Sequence, residues 1–407
     1  MAELSDIKTT ADSLKDEGNK FLKENKLSSA VEKYTEAIGV LPTAVYYSNR
    51  AQAYIKQESY GLAIADATSA IQLDNTYIKA YYRRGSANFA LGKSKAALKD
   101  FKAVCKMVPN DVDAKKKMIA CEKVVKADAF ILAMGVETVV KLPDVDHTTI
   151  VLPPNYNGPH IGDDGVVTPE FCMELMEYHK AQKKLPKRYV VQMLQAMIRD
   201  VKDLPSLLDI PLPDLQGPAN NTVPAESSAA EVAEGDINRK HITVCGDTHG
   251  QYYDLCNIFK LGGYPSASNP FLFNGDYVDR GSFSVEVVLT LMAWRLADPL
   301  SLYMMRGNHE TKNMNKIYGF EGEVMHKYDK SVMDLFTCVF NNLPLCAVLE
   351  QSVFVTHGGL STLKDGAVTL NEIRNITRNR EPPESGLMSD LMWSGKYTGR
   401  ISAIYRV

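Results

Sequence analysis

No two cysteines stand at the Cys-x-x-Cys spacing of a zinc or dithiol motif, although the 407-residue chain holds seven. Those seven (Cys105, Cys121, Cys172, Cys245, Cys256, Cys338, Cys346) are odd in number, which fits free thiols in a reducing compartment better than a disulfide framework. No apolar run approaches the length of a membrane span. The opening Met1-Ala2-Glu3-Leu4-Ser5-Asp6 is polar and acidic, so it is no secretory leader. Positive charge is not in excess either: 46 Lys and Arg stand against 49 Asp and Glu, for a formal net charge of −3. Neither nucleic acid nor an anionic membrane is therefore an expected partner. The expected location is the cytoplasm and also the nucleus. The length leaves room for two or three domains, each with its own core.

What is present begins with a repeat. Ala30, Ala63 and Ala97 recur at steps of 33 and 34 residues, each leading a bulkier or buried-type residue (Tyr34, Ala67, Phe101) and a closing Pro42, Asn75 or Pro109. A compact residue (Gly18, Ala51, Gly85) precedes each set, where two helices would cross closely. The spacing and order resemble three tetratricopeptide repeats, helical hairpins that bury their faces by stacking on one another. Residues 115–125 read as a capping helix, so an all-α repeat domain is expected over 1–125.

Lys15 and Asn19 lie four apart on the first helix of the first unit, as Lys79 and Arg83 do in the third, and Asn49 occupies the matching helix of the second. Residues four apart share a helix face, so the five can converge on one groove. The cluster resembles the carboxylate clamp with which some tetratricopeptide domains hold the acidic C-terminal tail of heat-shock protein 90. The plainer alternative is a solvated basic face.

Residues 143–164 carry too much Pro, Gly and Asp for regular structure and read as an interdomain connection, within a linker of 126–167. Helical periodicity returns over 169–208. A second break, 210–236, is rich in Pro, Ala, Ser, Glu and Asn and reads as a mobile surface loop.

Four motifs follow, each after an apolar β-rich run: Gly246-Asp247-Thr248-His249-Gly250 after 242–245, Gly275-Asp276-Tyr277-Val278-Asp279-Arg280-Gly281 after 271–273, Arg306-Gly307-Asn308-His309-Glu310 after 302–305, and His357-Gly358-Gly359 after 353–355. In an open α/β sheet, ligands gather beyond the carboxyl ends of strands. Asp247, His249, Asp276, Asn308 and His357 offer the oxygen and imidazole donors that suit a pair of borderline divalent ions. Asp276 is the expected bridge, Asp247 and His249 the remaining ligands of one ion, Asn308 and His357 those of the other. Such a pair acidifies a water and clamps phosphoryl oxygens. His309 then stands ready to protonate a departing alkoxide, oriented by the carboxylate of Asp279. Arg280 offers a planar fork to the phosphate.

Residues from about 168 to 393 resemble the metal-dependent serine/threonine phosphoprotein phosphatases, and Tyr318-Gly319-Phe320-Glu321-Gly322-Glu323, Asn379-Arg380-Glu381-Pro382-Pro383 and Ser389-Asp390-Leu391-Met392-Trp393-Ser394 agree with that. The resemblance implies an α/β metallophosphoesterase domain over 168–407, a β-sandwich core flanked by helices. It implies phosphoserine and phosphothreonine proteins as substrates and manganese, iron or zinc as the two ions. It also implies a repeat domain that covers the cleft until a partner tail draws it away. The resemblance is expected to stop after Ser394, with a divergent tail at 395–407. A segment carrying another phosphate-binding Arg, a further imidazole ligand, a cleft-lining Tyr and the last strands is then missing, and an apolar sheet edge is expected to lie open. The alternative function is a catalytically impaired adaptor that binds chaperone tails.

Overall fold

The computed structural model describes residues 2–57, 59–133, 143–162, 164–213, 241–361, 368–394 and 404–406. The second break from 214 onward and tail residues 395–403 lie outside the described residues. The first seven helices form one compact unit, and the elements between residues 140 and 392 form another.

The first unit is a run of antiparallel helical hairpins: α1 (Ala2–Lys23) with α2 (Leu27–Val40), α3 (Ala44–Lys56) with α4 (Tyr60–Leu73), and α5 (Ile78–Ala90) with α6 (Ser94–Met107). α7 (Val112–Ala133) packs on α6 and is longer than the 115–125 expected of it. Ala30, Ala63, Ala97, Tyr34, Ala67 and Phe101 are all fully buried, as the repeat register requires. Gly18 is glycine because a Cβ there would lie 2.6 Å from the Tyr34 ring, so the first hairpin could not close on any larger residue. A second periodic device was not read from the sequence. Arg50 grips Asp66 through two bonds of 2.7 and 2.8 Å. One repeat later Arg84 grips Asp100 in the same way at 2.9 and 2.8 Å. Each bidentate pair joins one hairpin's first helix to its second.

The second unit opens on α8 (Pro169–Lys180) and α9 (Lys187–Val201). Thr168 caps α8 by accepting from the Phe171 amide, and Pro169 takes the first helical position, where its missing N–H costs nothing. The helical pattern read over 169–208 overruns here: Leu207–Ile210 is a strand, β1. A short apolar run has no period that separates helix from strand, and pairing with a distant strand decides it. Among its described residues the stretch 143–164 has one 3-10 turn, His147–Thr149, and is not free of the second unit. Gln195 on α9 donates to the Val145 carbonyl at 2.6 Å. Val145, Ile150, Leu152 and Tyr156 pack on the core beneath α8 and α9. What reads as a linker is in this part a strap, because its scattered apolar residues find a helical surface to cover.

Two sheets follow. β2 (Thr243–Cys245), β3 (Phe271–Phe273) and β4 (Leu302–Met304) form a parallel three-stranded sheet in the order β2-β3-β4. β5 (Cys346–Leu349) pairs parallel to β1 and antiparallel to β6 (Val353–Thr356). β7 (Ile404–Arg406) pairs antiparallel to the other side of β6, giving the order β1-β5-β6-β7. β6 is therefore paired on both sides, and the expected open edge of this sheet falls at β7, a three-residue strand. Leu272 shares a core with Leu208, Ile210, Met305, Ala347, Leu349 and Val355, the packing of one sheet face on the other. Phe271 and Phe273 alternate to the opposite face, where both meet the ring of Phe259 on α10 (Tyr252–Gly262). Trp294 on α11 (Ser284–Ala297) also packs on Phe259. α12 (Lys312–Tyr318), α13 (Phe320–Lys327) and α14 (Lys330–Asn342) complete that helical layer, and α15 (Leu370–Arg374) and α16 (Leu387–Trp393) follow β6. The result is the expected helical repeat unit followed by an α/β sandwich flanked by helices.

Candidate active site

Each of the four motifs begins within two residues of a strand end, at β2, β3, β4 and β6. Asn274 knits three of those strands together. Its amide donates to the Cys245 carbonyl at 2.9 Å, its side chain donates to the Thr356 carbonyl at 3.0 Å, and its carbonyl accepts from His357 Nδ1 at 2.8 Å. That last bond fixes the tautomer of His357 and turns Nε2 inward.

Inward lies Asp276, buried at 3% exposure. Its carboxylate is 3.4 Å from His357 Nε2 and 3.5 Å from His249 Nε2. One terminal atom of the Asn308 amide sits 2.8 Å from His357 Nε2 and 3.0 Å from each Asp276 oxygen. Asp247, more than half exposed, brings a carboxylate oxygen to 3.8 Å from His249 Nε2. The donor atoms fall into two overlapping sets, Asp247 with Asp276 and His357, and His249 with Asp276 and His309, each within 4.8 Å. Asp276 belongs to both. The five residues expected to ligate metal are thus brought together, and His309 lies among them.

The donor set fits divalent cations. His249 Nδ1 donates to the Val278 carbonyl at 2.8 Å, which leaves Nε2 as a lone-pair acceptor, buried and without a hydrogen-bond partner. Burial holds this imidazole below its ordinary range, hence neutral, despite the Asp276 carboxylate nearby. Burial works against charge on Asp276 as well, but His357 and the other imidazoles prevail and hold its carboxyl far below the usual range. The converse holds for His357: burial opposes its proton, yet Asp276 pushes it up to about 9. Opposed charges and orphaned lone pairs around one point are what a bound cation would reconcile.

Beside this cluster, His309 is fully buried. Its Nδ1 contacts Asp279 at 2.9 Å, and its Nε2 lies 3.2 Å from Arg280 Nη2. Asp279 is itself held by the Phe320 amide at 2.9 Å and by Asn315 at 3.3 Å. Arg280 is exposed and takes its backbone position by donating to the Tyr318 carbonyl at 3.2 Å. His249, Asp276, Asp279 and Arg280 have φ of +39°, +58°, +70° and +66°. Half of the eight non-glycine residues with positive φ among those described stand here, and such backbone persists only where its surroundings over-determine it.

Sequence reasoning assigned no role to Glu310, Arg306, Asn274 or Asn315, all of which brace these loops. Glu310 and Arg306 stand inside a quoted motif. Their signal is a charged residue flanking Gly-Asn-His directly after a buried strand, which forces it indoors.

In the repeat unit, Asn19, Asn49 and Arg83 do converge. Tyr34 donates to Asn19 Oδ1 at 2.8 Å, Asn49 donates to the same oxygen at 3.3 Å, and Arg83 donates to Asn49 Oδ1 at 3.3 Å. Lys15 is engaged on its own helix by Asp12 and Asp16 at 3.1 and 3.2 Å. Lys79 is exposed one turn before Arg83.

The class is defined by the second unit. Residues 240–403 match the calcineurin-like phosphoesterase family, past the point at 394 where the sequence resemblance was expected to stop. Residues 118–209 match the repeat region of protein phosphatase 5 and residues 78–111 a tetratricopeptide repeat. Human serine/threonine-protein phosphatase 5 is 46% identical over 389 residues, 94% of this chain and 72% of its own length. Serine/threonine-protein phosphatase T of Aspergillus oryzae is 40% identical over 392 residues, 95% of this chain and 76% of its own length. A solved Saccharomyces cerevisiae protein serine/threonine phosphatase, described as similar to human PP5, aligns over 56% of this chain and 64% of its own, with 34% identity and a TM-score of 0.48. The chain belongs to the serine/threonine-protein phosphatase 5 family.

Proposed function

We propose that the chain removes phosphate from phosphoserine and phosphothreonine in proteins, with Asp247, His249, Asp276, Asn308 and His357 holding two divalent ions of manganese, iron or zinc. Bound there, the ions would acidify a water and offset charge on the phosphoryl oxygens. The chain's own groups do the rest. Arg280 presents its exposed fork to the phosphate. His309, oriented through Nδ1 by Asp279, carries the proton for the departing serine or threonine oxygen on Nε2. In the structure that nitrogen accepts from the Arg280 guanidinium at 3.2 Å, so it can hold a proton once Arg280 turns to the phosphate. The observation that carries this reading is Asp276, one buried carboxylate common to both donor sets. Release of phosphate from a phosphoserine peptide should require Mn2+ and fall at least about 100-fold in Asp276→Asn. Equal rates in both chains would defeat it.

The repeat groove extends the reading to a partner, a protein whose chain ends in an acidic tail like that of heat-shock protein 90. Its support is the hydrogen-bonded line from Asn19 through Asn49 to Arg83, which crosses all three hairpins. Burial pushes the Arg83 guanidinium below its usual range, so a carboxylate arriving there meets a poorly hydrated cation. Calorimetry with an acidic C-terminal peptide should show Arg83→Ala weakening binding by about 10- to 100-fold; unchanged affinity would remove the groove as the site. The seven unpaired thiols favour a reducing location, cytoplasm or nucleus. No described helix is long and apolar enough to cross a membrane.

A further inference from the structure

We propose that Glu310 is a positioning residue that sets Asp276 and Asn308 in register with each other, so that both ion sites depend on a side chain that touches neither ion nor substrate. This rests on the two-ion reading above.

Glu310 is fully buried. Its Oε2 accepts from the Asp276 amide at 2.8 Å and the Gly307 amide at 2.9 Å, while Oε1 accepts from the Tyr277 amide at 2.9 Å. One carboxylate therefore ties three N–H groups from two motifs about thirty residues apart. Among the described residues it makes no ion pair, and backbone N–H groups are the partners of both its oxygens.

The tie acts where the backbone is strained. Asp276 sits at φ +58°, a conformation that costs a β-carbon residue free energy and reverts unless held. Glu310 holds the amide of that residue and the amide of the next, which fixes the backbone from which the Asp276 carboxylate projects. The partner motif shows the same constraint. A Cβ on Gly307 would lie 2.8 Å from Glu310 Oε2 and would also strike the Asp276 amide and carboxylate, so glycine precedes Asn308 because the tie passes over it. Asp276 reciprocates, since its Oδ1 accepts from the His309 amide at 2.9 Å. Arg306, also fully buried, fixes the far end by donating from Nε to the Glu310 carbonyl at 3.1 Å and from Nη1 to the Arg380 carbonyl at 2.8 Å. Glu310 is thus pinned along its whole length.

Asp276 belongs to both donor sets and Asn308 stands between Asp276 and His357. Loosening the tie should therefore weaken both sites together. Losing His249, which belongs to one set, should weaken one.

The test is Mn2+ titration of the full chain by calorimetry, with paramagnetic resonance of the bound ions and thermal melting of the metal-free protein. The wild type should take up two Mn2+ as an exchange-coupled pair. Glu310→Gln keeps the length but sets an amide NH2 against a backbone N–H. It should weaken both Mn2+ sites by about 10- to 100-fold and abolish the coupling, whereas His249→Asn weakens one. A Glu310→Gln chain with wild-type affinities, or with one site affected, overturns the inference, even if it melts earlier. Should that variant not fold, Glu310→Asp, which keeps the carboxyl group but cannot span both motifs, is held to the same two criteria. A wild-type chain that binds no Mn2+ overturns the two-ion reading, and this inference with it, before any variant is made.

Discussion

At the scale of single residues, the site is built from side chains whose neighbours remove their freedom. Asp279 holds one face of the His309 imidazole and is held in turn by Asn315 and the Phe320 amide. Arg280 differs from these buried groups in being exposed, which suits the phosphate-binding role proposed for it. Arg280→Lys keeps the charge but loses the planar fork. Its KM for a phosphoserine peptide should rise about 10-fold or more, with a smaller change in kcat, as expected for the loss of one charge-assisted bond. Steady-state kinetics reads the split. The identities of these residues were legible in the sequence because hard oxygen and imidazole donors recur after apolar runs. The bracing of Glu310 and Asn274 was not, because an Asp, Asn or Glu looks alike in sequence whether it meets water or three backbone amides.

At the scale of elements, α8 is locked to α10 and α11 through a buried histidine. His179, 2% exposed, puts Nδ1 3.3 Å from the Thr290 hydroxyl and its ring edge-on to Tyr252. Burial, with the Lys327 ammonium a lesser cause, pushes its imidazole down to about 3. Unfolded, the same group takes a proton near pH 6.5. Between those values the unfolded chain binds more protons, so stability is whole above about pH 6.5 and is lost as pH falls toward 3. The loss should amount to a few kcal/mol. Urea midpoints measured from pH 7 to 4 should fall less steeply for His179→Gln than for the wild type. Helix α8 itself was legible, through Thr168 at its cap and Pro169 at its first turn. Strands β1 and β5 were not, since four apolar residues fit a strand or a buried helical turn equally well until a partner strand is found.

At the scale of the whole molecule, two kinds of core lie on one chain. Among its described residues the repeat unit has no strand, and small clusters such as Ala44 with Ala70 and Ala80 join one hairpin to the next. In such a stack each unit depends on its neighbours, and the Arg50–Asp66 and Arg84–Asp100 pairs hold the two helices of a hairpin together. Arg84→Ala strands a carboxylate that is 4% exposed, at a cost of about 3 kcal/mol. Hydrogen exchange should quicken in α4 to α7, next to the broken pair, and change least in α1. The second unit depends instead on one broad core beneath the three-stranded sheet. Its other sheet is extended beyond β6 by a strand from the tail that looked unrelated to the fold.

The order and chemistry of the four motifs, the period of the helical hairpins and the family these imply were settled by the sequence alone, because spacing and residue type survive without coordinates. Tertiary structure decided which apolar runs become strands, that part of the apparent linker straps α8 and α9, and that Glu310 joins two motifs. Those outcomes depend on partners far away along the chain, and a linear pattern carries no information about which distant group a backbone amide will meet.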